Sequence, residues 1–146
     1  MKNILIIGAG KSSSYLIKYL LEKSNNENLR LTIGDICTKN ADLMIQDHKN
    51  AKSILLDVFN LEQRQKLIKK SDLVISMLPA RFHLEVAKDC ISFGKHMVTA
   101  SYISNEMKAL DKAAKKKGLV FMNEIGVDPG IDHMSAMQII DKIKKL

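Results

Sequence analysis

A buried strand that runs straight into two closely spaced glycines leaves a chain few folds to choose from. Residues Lys2 to Ser13 read KNILIIGAGKSS. The apolar run Ile4 to Ile7 suits a strand covered on both faces, as at the centre of a parallel sheet. Gly8 and Gly10 then turn the chain into a helix expected to start near Ser12. Gly8 permits the tight turn, and Gly10, without a side chain, lets a pyrophosphate approach the backbone. The free N–H groups and positive dipole end of the helix meet the phosphate charge, so Lys11 and Ser12 count with the glycines as cofactor-binding. Ser13 replaces the usual third glycine. It is small enough for close helix–strand packing, and its hydroxyl is within reach of a phosphate. A bare GxGxxS is a weak motif; its place at the first strand and first turn strengthens the dinucleotide reading over an ordinary strand-to-helix turn.

Beyond the turn, strand and helix patterns alternate with short links. The expected strands are Leu29–Gly34, Ser53–Asp57, Asp72–Met77, His96–Thr99 and Leu119–Met122. Between them lie a first helix with Tyr15, Leu16, Tyr19 and Leu20 at helical spacing, and a second over Thr38–Lys49 with Leu43 and Met44 inward. A third is capped by Asn60 and runs to Lys70. A fourth covers Ala80–Phe93 and is stopped by Gly94, and a fifth runs from Ser104 to Gly118. A final helix starts at Ile131. Such alternation means right-handed crossovers and a parallel sheet. The fold class is α/β: a doubly wound Rossmann sheet of order 3-2-1-4-5-6 with helices on both faces, forming one dinucleotide-binding domain over residues 1–146.

Composition narrows the function. The net charge of +7 comes from lysines scattered along presumptive helix surfaces, with few arginines and 5% aromatics. That pattern fits a solvated surface that attracts an anionic cofactor better than a nucleic-acid interface. No apolar run approaches the roughly 18 residues of a membrane span. Cys37 and Cys90 form no paired spacing and read as reduced thiols, and the N-terminus lacks a signal-peptide pattern, so a cytoplasmic location is expected. His48, His83 and His96 show no ligand spacing, and no metal is assigned.

In sheets of this kind ligands lie beyond the carboxyl ends of the strands. After the second strand comes Asp35, whose carboxylate can accept from a ribose diol; its plainer role is a helix cap. After the third comes Asp57, placed to meet an adenine amino group or simply to cap a turn. Leu78 and Pro79 follow the fourth strand, where backbone faces ribose and nicotinamide. Ala100, Ser101 and Tyr102 follow the fifth. The sixth leads into Asn123–Gly130, a polar loop with Glu124 and Asp128. Asp132 and His133 stand just past it. Carboxylates there can orient an amine or act as a base, or cap the last helix. NAD is expected over NADP, because Asp35 has no arginine beside it; Lys39 is the feature favouring NADP.

Two longer motifs carry more information. The run MLPARFHLEVAKDCISFGKHMVTASYIS, Met77 to Ser104, and NEIGVDPGIDHMSAM, Asn123 to Met137, closely resemble the saccharopine dehydrogenase family, in its glutamate-forming branch. The resemblance implies hydride transfer from the carbon beside the saccharopine nitrogen, with hydrolysis of the imine to glutamate and 2-aminoadipate semialdehyde, or the reverse. It implies that Gly8, Gly10, Ser13, Asp35, Leu78, Ala100, Ser101 and Val127 touch cofactor and that Ser101, Tyr102 and Asp128 touch saccharopine. No catalytic base carries over. Family members continue into a second α/β domain that completes the substrate site and offers a route to a homodimer. The present residues are therefore expected to be the cofactor domain of a longer enzyme, inactive alone. A carboxynorspermidine-type reductase and a non-catalytic NAD-sensing module are the competing readings.

Overall fold

A computed structural model describes residues 1–145. Six parallel strands form one sheet of order β3-β2-β1-β4-β5-β6: β1 Lys2–Ile7, β2 Leu29–Asp35, β3 Ala51–Leu55, β4 Leu73–Ser76, β5 His96–Thr99 and β6 Phe121–Met122. The expected order is the observed one.

The continuous apolar run of β1 has a direct cause, because β1 faces two cores. Ile4 and Ile6 pack with Leu31 and Ile33 of β2 under α1 (Ser14–Lys23) and α2 (Thr38–Ile45). Leu5 and Ile7 pack with Val74 and Met97 under α3 (Leu61–Lys69), α4 (His83–Phe93) and α5 (Asn105–Ala109). Each such fully buried aliphatic side chain contributes about 1.5–3 kcal/mol.

Local signals set most boundaries. The Asn60 side chain accepts from the Gln63 N–H at 3.1 Å, and the Ser104 hydroxyl accepts from the Met107 N–H at 3.2 Å. Gly94, with φ of +65°, ends α4 in the left-handed conformation open to glycine. Three expectations need correction. The helix expected over Ser104–Gly118 is two, α5 and α6 (Asp111–Lys116). At the break the Leu110 N–H bonds the Met107 carbonyl in a tighter i→i−3 turn, which lets both side chains join one core cluster. α2 stops at Ile45, not Lys49, where Gln46 takes φ of +46°; Ala41 and Ile45 are buried and Met44 packs half-buried against the same core as expected, while Leu43 is exposed. In α1 the buried stripe is Ile17 and Leu21, and Tyr15 and Tyr19 face solvent.

The last helix, α7 (Ile131–Ile143), buries none of its residues, so the apolar stripe Met134, Met137 and Ile140 is exposed. Among the described residues no helix is long and apolar enough to cross a membrane.

Candidate functional site

The carboxyl ends of β1, β2 and β4 enclose a cavity of about 360 Å³ bordered by Gly8, Gly10, Asp35, Asp57, Leu78 and Pro79. Six residues singled out from sequence thus meet in one place. The two glycines serve different purposes there. Gly8 has φ of +106°, donates its N–H to the Gly34 carbonyl at 2.8 Å, and a Cβ would stand 2.9 Å from the Met77 carbonyl oxygen. It is required by the crossing of β1, β2 and β4. A Cβ on Gly10 would meet nothing within 4 Å. No packing demands glycine at that position, and a side chain there would intrude only on a ligand.

Lys11 to Ser13 form a single 3-10 turn before α1 begins at Ser14, slightly later than expected. Lys11 and Ser12 are exposed on it. Ser13 is buried and donates its hydroxyl to the Gly10 carbonyl at 2.7 Å. This corrects the expectation of a hydroxyl free for phosphate: Ser13 shapes the turn and fills the space a third glycine would leave.

Asp35 is anchored on both oxygens. Oδ2 accepts from the Ala9 N–H at 2.6 Å and Oδ1 from the Cys37 N–H at 2.9 Å. The carboxylate therefore bridges the glycine turn to the end of β2, and each oxygen retains a lone pair. Asp57 accepts from the Phe59 N–H at 2.9 Å, the turn-capping role read as its plainer alternative.

The remaining candidates form a second group beyond β5 and β6. The Ser101 carbonyl accepts from the Glu124 N–H at 3.1 Å, and Glu124 Oε1 accepts from the Ile103 N–H at 3.0 Å. The Tyr102 hydroxyl donates to Asp128 Oδ1 at 2.5 Å. This bond holds the phenol pKa above its ordinary value, because ionisation would put two negative oxygens together. The two polar loops are thereby stitched to each other. Ala100 packs against Gly126, while Val127 is exposed. Among the described residues no cluster of three His, Cys, Asp or Glu side chains could hold a metal ion.

Sequence reasoning passed over His83. It is the first residue of α4 and is 3% exposed. Its Nδ1 lies 2.8 Å from Ser76 Oγ; its Nε2 lies 2.8 Å from Ser101 Oγ and 3.1 Å from Thr99 Oγ1. Burial lowers its pKa, which favours the neutral ring. The available signal was the pair Ser76 and Thr99, polar residues ending two adjacent central strands, whose buried hydroxyls need a partner.

Known proteins resemble this chain in sequence and fold. The model of the saccharopine dehydrogenase NADP binding domain matches residues 4–122. Saccharopine dehydrogenase [NADP(+), L-glutamate-forming] of Schizosaccharomyces pombe is 37% identical over 99% of this chain and 32% of its own length. Mitochondrial alpha-aminoadipic semialdehyde synthase of Mus musculus is 39% identical over 99% of this chain and 15% of its own. The apo structure of saccharopine dehydrogenase (L-Glu forming) from Saccharomyces cerevisiae superposes with a TM-score of 0.87 at 34% identity, covering 99% of this chain and 32% of that one. The chain thus spans about a third of the fungal relatives and less of the mouse protein. Biliverdin reductase from Synechocystis, at 18% identity and a TM-score of 0.63, shares the fold. With its model matched across all six strands, the chain belongs to the saccharopine dehydrogenase NADP-binding-domain family.

Proposed function

We propose that this chain holds a nicotinamide dinucleotide across the carboxyl ends of β1, β2, β4 and β5, as the cofactor domain of a glutamate-forming saccharopine dehydrogenase. The carrying observation is Gly10: its open Cβ position faces the same cavity as Asp35. The residues fit such a group. Backbone of Gly8 to Ser12 receives the pyrophosphate at a helix start, Asp35 accepts from ribose hydroxyls, and Leu78 and Pro79 border the path toward nicotinamide. The bound dinucleotide would supply the hydride acceptor. Ser101, Tyr102 and Asp128 orient saccharopine, whose carbon beside the bridging nitrogen gives up hydride. Water then splits the imine into glutamate and 2-aminoadipate semialdehyde. With its phenol pKa raised, Tyr102 stays protonated at neutral pH and acts as a donor, not a base. Both cysteines are free, which fits the cytoplasmic reading.

Within this reading the cofactor is NAD in preference to NADP. A 2′-phosphate beside Asp35 would bring like charges together, costing about 4 kcal/mol at 4 Å and an effective dielectric of 20. The residues after Asp35 are Ile36, Cys37 and Thr38, with no arginine fork to offset that cost. NADP is the competing reading: the family description and the fungal relatives carry that name, and Lys39 on the first turn of α2 offers a cation. Paired calorimetric titrations at fixed ionic strength decide. NAD should bind about tenfold tighter, a difference of about 1.4 kcal/mol, and Asp35→Ser should narrow the gap. Equal or tighter NADP binding refutes the role given to Asp35. Gly10→Val should abolish binding of either dinucleotide with the fold intact; unchanged affinity in that variant refutes the cofactor site itself.

A further inference from the structure

His83 is a buried titratable group that the scheme above leaves without a task. Its ring lies under the ends of β4 and β5 and touches three hydroxyls from three separate places: Ser76, Thr99 and Ser101. Ser76 and Thr99 are register partners on adjacent strands and are almost fully buried. Ser101 is half-buried, on the loop whose carbonyl receives Glu124. The imidazole therefore joins the side chains of both strand ends to the Ser101 hydroxyl of the loop at the cleft.

The network also fixes where the protons go. Thr99 Oγ1 already accepts from the Ser101 N–H at 3.3 Å, so its own proton is free to donate to Nε2. With Nε2 as acceptor, its single lone pair is shared between Ser101 at 2.8 Å and Thr99 at 3.1 Å in a three-centre bond, and Nδ1–H donates to Ser76. The opposite tautomer places only the Ser76 proton. The first arrangement gives two of the three hydroxyl protons an acceptor, sharing one lone pair, and the second gives an acceptor to one, which favours the first where polar groups are buried. It has a consequence at the surface: with its proton directed inward, the Ser101 oxygen turns its lone pairs toward the cleft.

We propose that His83 is a positioning residue that presents the Ser101 hydroxyl as a hydrogen-bond acceptor, selecting a ligand N–H donor at that point, namely the carboxamide of the nicotinamide ring. The proposal rests on the cofactor reading. In a doubly wound sheet the dinucleotide crosses from the β2 side to the β4–β5 side, so the nicotinamide half is the part that reaches Ser101.

The test compares three probes on the same chain: NAD, ADP-ribose, which lacks the nicotinamide, and the dinucleotide with a nicotinic acid carboxylate in place of the carboxamide. His83→Asn keeps a polar group toward Ser76 but is too short to reach Ser101. It should weaken NAD binding about fivefold, the worth of one hydrogen bond, and leave ADP-ribose within twofold. Ser101→Ala should do the same, and the double variant should be no weaker than Ser101→Ala alone. The parent should bind the carboxylate probe less tightly than NAD, since two acceptors would face each other. Equal losses for NAD and ADP-ribose, additive effects of the two substitutions, or equal parent affinity for NAD and the carboxylate probe would each overturn the proposal. If His83→Asn fails to fold, Ser101→Ala and the parent carry the same outcomes. A parent that binds neither NAD nor ADP-ribose overturns the cofactor reading and this proposal with it; a parent that binds both while His83→Asn leaves them unchanged overturns this proposal alone.

Discussion

Two hydrogen-bonded pairs of nearly equal length lie at opposite ends of this molecule's range of burial. Arg64 of α3 donates from Nε to Asp89 of α4 at 2.6 Å, with both side chains less than 10% exposed. Tyr102 donates to Asp128 at 2.5 Å with the phenol 60% exposed. Length alone would rank them together, yet burial separates them. The first pair is screened from water and tied into further bonds: Arg64 Nη1 donates to the Val58 carbonyl, and Gln65 donates to Asp89 at 2.8 Å. The second competes with solvent at every moment. A buried polar network fixes a fold, whereas an exposed pair leaves a surface that a ligand can enter.

The sharpest way to break the comparison is Arg64→Ala. Asp89 would then be a buried carboxylate without its cation, and loss of one partner of such a pair costs about 3–5 kcal/mol. Chemical denaturation should show that loss. Because Val58 borders the cavity proposed to take the dinucleotide, dinucleotide affinity should fall as well. A stability change below about 1 kcal/mol would mean that the pair contributes no more than a surface bridge.

The contrast also explains what could be read from the sequence. Strand order, the glycine turn and the residues at the strand ends were legible because local patterns carry them: β1 is apolar throughout since it faces two cores. The Arg64–Asp89 pair and the His83 network were not legible. They join residues 25, 18, 16 and 7 positions apart, and their meaning depends on which faces the crossovers bring together. Ser13 and Asp35 were singled out, but not their bonds within the turn. Both form hydrogen bonds to backbone groups of the glycine turn, which no spacing rule reveals. The split at Leu110 was missed because both halves keep helical composition across one i→i−3 turn.

His83 gives an intermediate test, a buried group whose partners are hydroxyls instead of a countercharge. Its pKa in the folded chain lies below the ordinary value of 6.5, the unfolded reference. The unfolded state therefore binds more protons as pH falls through that reference, so stability is full above it and declines below it. The midpoint of thermal unfolding should drop between about pH 7 and pH 5, and His83→Gln should flatten that slope relative to the parent. An identical slope in both proteins would remove His83 as the titrating group. The effect should be smaller than that of Arg64→Ala, because no buried charge is left unpaired at neutral pH.

The smallest effect on the fold is expected at the exposed pair, where the change should be electronic. Ionising Tyr102 would place a phenolate against Asp128, and the hydrogen bond that now stabilises the neutral phenol would be lost, so its pKa stands above the usual 10. Ultraviolet titration can isolate this phenol from Tyr15 and Tyr19 by subtracting the Tyr102→Phe trace. The difference spectrum should titrate above the ordinary phenol value. Asp128→Asn removes the negative partner and should bring the transition back toward the ordinary value, with the unfolding midpoint unmoved in either variant. A Tyr102 phenol that titrates at the ordinary value would mean that the Tyr102–Asp128 bond does not persist in solution. The hydrogen bonds then left between the two loops would be those among Ser101, Ile103 and Glu124.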